Sequence, residues 1–338
     1  MSKLRGAIIG CGMISEFHLR GWARTPGVEI VALADPERSR AEQRRLQFAA
    51  KARLHEGLEA LLEKETVDFV DILSPPWLHR EHCLLAAQAG VHIICQKPLC
   101  DRREEAVALV RALRDYPKLF IVHENHRYRP WFREIARLSQ EGFFGRLHFL
   151  HLVQHDPAEP PEKNNLEAER GVLLQYGVHL VDMMRLLLGE PKRVQARLHH
   201  LNPRVRGESL AHVVFDYPQA TATLDVSWKA VGVQQGGALL VGESGEAFYE
   251  GRMTRSESAR FRLSRGSSIV RDEQRSPYAD YVESFCSFER EFVESVLSNR
   301  PGPQPAIENL KTLEATFAAY EAARRGEPVV LAEFATKL

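Results

Sequence analysis

The chain has 338 residues, with 45 Lys plus Arg balanced by 45 Asp plus Glu, so its formal charge is zero. That balance supplies no field for nucleic acid or an anionic membrane, and no stretch approaches the roughly 20 apolar residues of a membrane span. With 44% hydrophobic residues and five cysteines lacking paired spacing, it reads as a globular two-domain protein of a reducing, cytoplasmic compartment rather than a disulfide scaffold.

Leu4 to Ile9 predicts a buried strand. Its apolar run begins at Ala7, continues into glycines and lacks a small-residue cleavage site, so it is read as a first strand and not a secretion signal. It leads into Gly10-Cys11-Gly12-Met13-Ile14-Ser15 and a helical segment through Arg24. This is a G-x-G-x-x-S variant of the dinucleotide fingerprint. Gly10 allows the tight turn, Gly12 lets the backbone approach a pyrophosphate, and Met13 and Ile14 lead into the helix end that faces it. A second strand, Val28 to Ala34, ends at Asp35, where an acid binds ribose hydroxyls. Asp35 favours NAD, because a carboxylate repels a 2′-phosphate. Arg38 and Arg40 follow, and an arginine there accommodates NADP, which stays as the alternative.

Helices are expected over Glu37 to Lys51 and Gly57 to Glu65, then a strand from Val67 to Leu73. Ser74, Pro75, Trp77 and His79 follow it, where such folds line the cofactor cleft; His79 reads equally as a helix-start histidine. A helix through His82 to Ala89 precedes the strand Val91 to Cys95, which runs into Gln96-Lys97-Pro98-Leu99. A lysine there sits at the mouth of an open α/β sheet, where ligands bind. Proline restricts it to extended or turn geometry, and a cis bond suits so tight a turn. The plainer reading is a surface lysine before a helix-starting proline. A helix from Arg103 to Arg114 and a strand from Leu119 to His123 complete an alternating pattern that implies right-handed βαβ units and one parallel sheet. Asn125 follows, near the expected nicotinamide position or as a turn former.

Beyond this the texture changes. A helix (Trp131 to Glu141), a strand (Arg146 to His155) and a loop (Asp156 to Glu169) precede a helix from Leu174 to Leu188. Short β-like runs follow at Arg193 to His200, Ala211 to Tyr217, Ala220 to Trp228, Gly237 to Val241, Ala247 to Glu250, Ala259 to Leu263 and Ser268 to Arg271. They predict a large, open, mostly antiparallel sheet, with helices at Tyr281 to Val296 and Ile307 to Arg325. The fold class is thus a Rossmann α/β domain over residues 1–122, followed by an α+β domain over 123–338 for substrate binding and oligomerisation. The last helical segment is a candidate to pack back on the first domain. An open sheet needs its second face covered, so a homodimer or homotetramer is expected. His155 is a candidate substrate contact or a solvated histidine. The pairs His123/His126 and His79/His82 have helical spacing but bring no third ligand, so no metal is expected. The arginines of Arg252 to Arg275 are offset by Glu257, Asp272 and Glu273, and read as a charged sheet edge.

Several of these segments together resemble the Gfo/Idh/MocA oxidoreductases. The resemblance rests on Gly10-Cys11-Gly12, Ala34-Asp35-Pro36, Gln96-Lys97-Pro98-Leu99, Asn125-His126-Arg127-Tyr128 with Pro130, the run Gly171 to Asp182, and the closing helix with Ala318 to Ala323. The Gly171 to Asp182 run is similar to a G-x-L-x-D-x-G-x-H-x-x-D motif. It implies NAD(P)-dependent oxidation or reduction of a sugar, polyol or sugar acid. It also implies that Lys97 and His179 handle the proton, with position 175 holding substrate beside them. Lys97, Asn125, His155, Gln175 and His179 are then the substrate-binding candidates. On residues alone, hydride transfer needs a group to take the hydroxyl proton, because the cofactor carries only the hydride. Gln175 and His179 are four apart, so one helix would present both on one face.

Two departures stand out. Gln96 and Gln175 occupy positions where the family has Glu and Asp, and an amide can neither take a proton nor supply charge. A substrate carrying a carboxylate becomes more acceptable. Other readings are a family member with a different net reaction, such as a redox-assisted glycosidase or cofactor-retaining oxidoreductase, and a non-catalytic NAD or sugar sensor.

Overall fold

Six strands form one all-parallel sheet: β1 (Leu4–Ile9), β2 (Val28–Ala34), β3 (Arg53–His55), β4 (Phe69–Ile72), β5 (His92–Gln96) and β6 (Phe120–His123), in the order β3-β2-β1-β4-β5-β6. The connecting helices are α1 (Ser15–Trp22), α2 (Arg38–Phe48), α3 (Leu58–Lys64), α4 (Pro76–Gln88) and α5 (Arg103–Ala112). Strand β4 is buried throughout, as expected where helices cover both faces. The order reverses between β1 and β4, and this switch point is where open sheets of this kind hold their ligand. The short edge strand β3 was not expected, since Arg53-Leu54-His55 offers one apolar residue. Helix α4 starts at Pro76, six residues before the expected helical run, with proline in its first turn.

The structure is a computed structural model describing residues 3–156, 166–228, 235–252 and 258–336. The chain divides into two units, Met1–Tyr128 with Val282–Leu310, and Arg129–Tyr281 with Lys311–Lys337. The expected boundary at 122/123 therefore moves to 128/129, and the segment Val282–Leu310 returns to the first unit. That unit's core combines Ile8, Leu33, Phe69 and Ile94 with Trp22, Phe288 and Phe292.

The second unit holds a nine-stranded sheet, β7 (Leu147–Asp156), β8 (Arg193–His199), β9 (Leu210–Asp216), β10 (Thr221–Trp228), β11 (Gln235–Gly242), β12 (Gly245–Glu250), β13 (Ala259–Arg265), β14 (Ser268–Arg275) and β15 (Val329–Val330). The order is β14-β13-β12-β11-β7-β10-β9-β8-β15. All neighbours pair antiparallel except β7 with β10. Alternation assigns the faces. Leu150, Leu152, Ala222, Leu224 and Val226 pack into a core with residues of α6 (Pro130–Gln140) and α7 (Val178–Leu188), among them Trp131, Leu180 and Val181. Phe149, His151 and Val153 alternate with them on the outer face. The carboxyl-terminal part is α8 (Pro277–Ser298), α9 (Ala306–Arg325) and a short α10 (Leu331–Phe334). No helix among the described residues is long and apolar enough to cross a membrane.

Candidate active site

The glycine turn follows β1 directly. Gly10 has φ of +96°, and a Cβ there would lie 2.8 Å from the carbonyl carbon and oxygen of Leu73, so this position needs glycine. A Cβ on Gly12 would meet nothing within 4 Å: the backbone borders open space, as a diphosphate cradle requires. Ser15, at the third fingerprint position, donates from Oγ to the Gly12 carbonyl at 2.6 Å. Arg44 braces both, donating to Ser15 Oγ at 3.0 Å and to the Gly12 carbonyl at 3.2 Å. Helix α1 begins after Ile14 with no side-chain cap, and the positive end of its dipole favours an anion there. Asp35 is buried at the end of β2; Oδ2 accepts from the Cys11 N–H at 2.7 Å and Oδ1 from the Glu37 N–H at 2.8 Å. The carboxylate is thereby fixed against the turn. These residues fit a dinucleotide.

The lysine turn is tied to the glycine turn. Gly10 backs onto Leu73 and Ser74; His79 Nε2 lies 2.7 Å from the Ser74 carbonyl, and its Nδ1 lies 2.9 Å from the Pro98 carbonyl. His79 is fully buried, and burial pushes its pKa down to about 4. Its two ring nitrogens face backbone carbonyls of the two turns, and the neutral ring donates its one N–H to one of them. Ser74 Oγ bonds His82 Nδ1 at 2.9 Å, Pro75 caps α4, and Trp77 stands exposed in its first turn. The Lys97–Pro98 bond is cis.

Gln96 has a different task from a carboxylate. Its Oε1 accepts the Lys97 N–H at 2.7 Å, which fixes the amide so that Nε2 faces His18 Nε2 at 2.9 Å. His18 must accept there, so its proton sits on Nδ1 and is donated to Asp71 Oδ2 at 2.8 Å. Asp71 Oδ2 also accepts from Trp22 Nε1 at 2.9 Å. The result is a buried chain, Asp71–His18–Gln96, ending on the backbone of Lys97. On the next strand, Glu124 is fully buried. Burial pushes its pKa up to about 7 against the opposing charges of Lys97 and Arg127. Neither Glu124 nor the His18–Asp71 pair carries a local sequence signal.

In the second unit, the expected regular helix from Leu174 gives way to a wider π-type turn, Leu173–Gly177, running into α7. Its hydrogen bonds reach one residue further than those of an α-helix. Glu208 organises the entry. Its two carboxylate oxygens accept the Gly171 and Leu173 N–H groups, each at 2.9 Å, and Oε1 also accepts the Tyr320 hydroxyl at 2.7 Å. A Cβ on Gly171 would collide with the Glu208 carbonyl, which accounts for the glycine opening the motif. Gln175 is half-buried, and His179 is buried with its ring edge-on to Tyr176 at 5.9 Å. Three residues on, Asp182 accepts from Thr312 Oγ1 at 3.1 Å, and Thr312 in turn accepts from Arg185 at 2.7 Å.

Asn125 donates from Nδ2 to Ser284 Oγ at 2.9 Å, and its carbonyl accepts the Tyr128 N–H, so it shapes the turn after β6. His155 is bonded to Ser227 Oγ at 2.6 Å, on the sheet face opposite the one α7 covers. Arg38 lines an open groove of about 910 Å³ with Arg45, Arg53, His55 and Lys64; no residue of the glycine or lysine turns lines it. Among the described residues, His18, His123 and Glu289 bring ligand-type atoms within 4.8 Å of one another. Both nitrogens of His18 are already engaged, and burial holds the Glu289 carboxyl well above its usual range, so this trio reads as core. Most of the loop expected over residues 156–169 lies outside the described residues, as does Glu257.

Residues 4–124 match the model of an oxidoreductase family with an NAD-binding Rossmann fold, and residues 132–248 match a GFO/IDH/MocA C-terminal domain. The chain belongs to the Gfo/Idh/MocA oxidoreductases. It is an NAD(P)-dependent oxidoreductase of CH–OH groups, and a nicotinamide dinucleotide is its cofactor. D-apiose dehydrogenase of Paraburkholderia graminis is 31% identical over 98% of this chain and 90% of that protein. An inositol 2-dehydrogenase of Rhizobium meliloti is 26% identical over 55% and 56%. Among solved structures, an Agrobacterium radiobacter oxidoreductase in complex with NAD+, L-tartaric acid and magnesium superposes with a TM-score of 0.89, at 24% identity, over 99% of this chain and all of that one. These likenesses agree with the two sheets described above.

Proposed function

We propose that this chain is an NAD-dependent dehydrogenase acting on a hydroxyl carbon of a sugar, polyol or sugar acid, with Lys97 and His179 sharing the proton. One observation carries the reading: the contacts from Gly10 through Ser74 and His79 to Pro98 make the fingerprint turn and the lysine turn a single assembly. Gly10, Gly12 and Asp35 would hold the diphosphate and ribose of a dinucleotide at the same end of the sheet as Lys97. When bound, the nicotinamide supplies hydride acceptance and delivery. Lys97 takes the hydroxyl proton, from a backbone position held by Gln96. His179 serves the substrate from a segment braced by Glu208, and Gln175 offers it an uncharged amide. The relatives that act on D-apiose and inositol support this substrate class, as their names state. With neutral amides at 96 and 175, the site accommodates sugar acids as well.

Two further points belong to this reading. Phe149, Val153, Val214, Leu239, Val241 and Phe248 are only partly buried on the outer face of the nine-stranded sheet, and a second copy covers them in a homodimer or homotetramer. The five cysteines are all buried and unpaired, which suits the cytoplasm.

NADH formation with D-apiose, inositols, aldoses and sugar acids tests the reading. Turnover with at least one is expected. Tight NAD binding with no turnover across the panel would favour a sensor, and bond cleavage without net NADH would favour a redox-assisted reaction.

A further inference from the structure

We propose that Glu124 is the charge partner of Lys97, supplying from strand β6 the carboxylate that Gln96 does not supply from β5, and that the two side chains hold one proton between them. The proposal rests on the reading of Lys97 given above.

Three observations converge. Strands β5 and β6 are paired in parallel with Gln96 opposite His123, so Lys97 and Glu124 leave the sheet side by side as the next residues of each strand. Glu124 has no solvent exposure, while Lys97 is half-buried. Gln96 cannot serve, because both ends of its amide are committed, Oε1 to the Lys97 N–H and Nε2 to His18. Its neutrality also matches the neighbouring chain: a carboxylate at 96 could not donate to His18 Nε2, and the bond to Asp71 already uses the ring's proton. The negative charge near Lys97 has moved one strand over.

The surroundings of Glu124 are consistent with a shared proton. The charges that act on its carboxyl are those of Lys97 and Arg127, and the His126 N–H donates to it, while burial opposes its ionisation and holds its pKa near 7. A buried pair of this kind titrates as a unit. Its ammonium–carboxylate and amine–carboxylic acid forms carry the same net charge. They interconvert when one Lys97 N–H bond breaks and one Glu124 O–H bond forms. The second form presents an uncharged amine near neutral pH, where an isolated lysine with pKa of about 10.4 stays charged. When the substrate O–H bond breaks, its proton forms a new N–H bond on that amine, and the pair is left as ammonium and carboxylic acid.

Titration of the full chain with NAD bound tests this without any substrate. With lysine labelled at 13Cε, the Lys97 signal is identified by its loss in Lys97→Arg. Removing the carboxylate in Glu124→Gln should lower the Lys97 midpoint by about 1 unit or more, and Glu124→Asp should recover at least half of that. Because coupling is reciprocal, the Glu124 carboxyl, labelled at 13Cδ, should shift upward by the same amount in Lys97→Met. Lys97 and Glu124 midpoints both within about 0.2 unit of wild type would overturn the proposal, since a coupled pair moves together. If Glu124→Gln does not fold, the Lys97→Met arm decides alone. NADH formation by Lys97→Met separates the two readings. Coupled titration with activity retained leaves the pair standing and removes the catalytic role of Lys97; uncoupled titration with activity lost does the reverse.

Discussion

Replacing Glu208 by alanine should disorganise the segment that carries Gln175 and His179. The side chain accepts three hydrogen bonds, from the Gly171 and Leu173 N–H groups and the Tyr320 hydroxyl, and it is 4% exposed. Hydrogen bonds to a charged group contribute about 1.5–3 kcal/mol each. Three of them give an upper figure of about 9 kcal/mol, and water entering the space left by the side chain recovers part of it, so a loss of about 4 kcal/mol is expected. For a unit of this size that corresponds to roughly 10 °C in melting temperature. Glu208→Gln keeps one acceptor oxygen and should lose about half as much. The assay is chemical denaturation followed by tryptophan fluorescence, with turnover measured on the same samples. Turnover should fall about 100-fold, because small misplacements of reacting groups cost that much. A Glu208→Ala protein within about 0.5 kcal/mol of wild type would refute the reasoning, since that is the range of an ordinary surface change.

Gly12→Val should leave stability within about 0.5 kcal/mol, as the added atoms meet only open space, yet weaken NAD at least about tenfold by calorimetry, a cost of about 1.4 kcal/mol; unchanged affinity would place the diphosphate elsewhere. Asp35→Ala should also weaken NAD, about tenfold or more, because the ribose acceptor and the brace on the Cys11 N–H disappear together. His79 makes stability depend on pH. Its folded pKa is about 4 and its unfolded value about 6.5, so the unfolded chain binds more protons between these pH values and stability falls as pH drops through that window. Between pH 7 and pH 5 the loss is about 2 kcal/mol from this ring. Denaturation midpoints in His79→Gln should show that much less pH dependence; equal dependence would contradict a ring buried in its neutral form.

The sequence made legible those features in which local pattern and chemistry coincide. The apolar runs of β1, β2, β4, β5 and β6 and the glycine at position 10 each answer a local requirement, burial in a parallel sheet or a positive φ. The runs of the second sheet were equally readable, because inward and outward residues alternate. What escaped depends on neighbours far along the chain. Strand β3 exists only because β2 pairs with it. The π-type turn at Leu173–Gly177 is held by Glu208 and Tyr320, more than thirty and more than one hundred and forty positions away. Glu124 acquires its meaning only when β5 and β6 align Gln96 with His123. The ring of His79 faces the carbonyls of Ser74 and Pro98, neighbours that only the folded sheet brings together. His155 sits one residue out of phase with the face that α7 covers, a distinction that strand alternation offers only once the covered face is known.

The most direct measurement is the rate of NADH formation by Lys97→Met, on the wild type's best substrate, alongside NAD affinity on the same preparation. Affinity should stay within about threefold while the rate falls about 1,000-fold, the scale of losing a positioned proton acceptor. A rate within about tenfold of wild type at full cofactor occupancy would show that the amine at this turn does not take the proton.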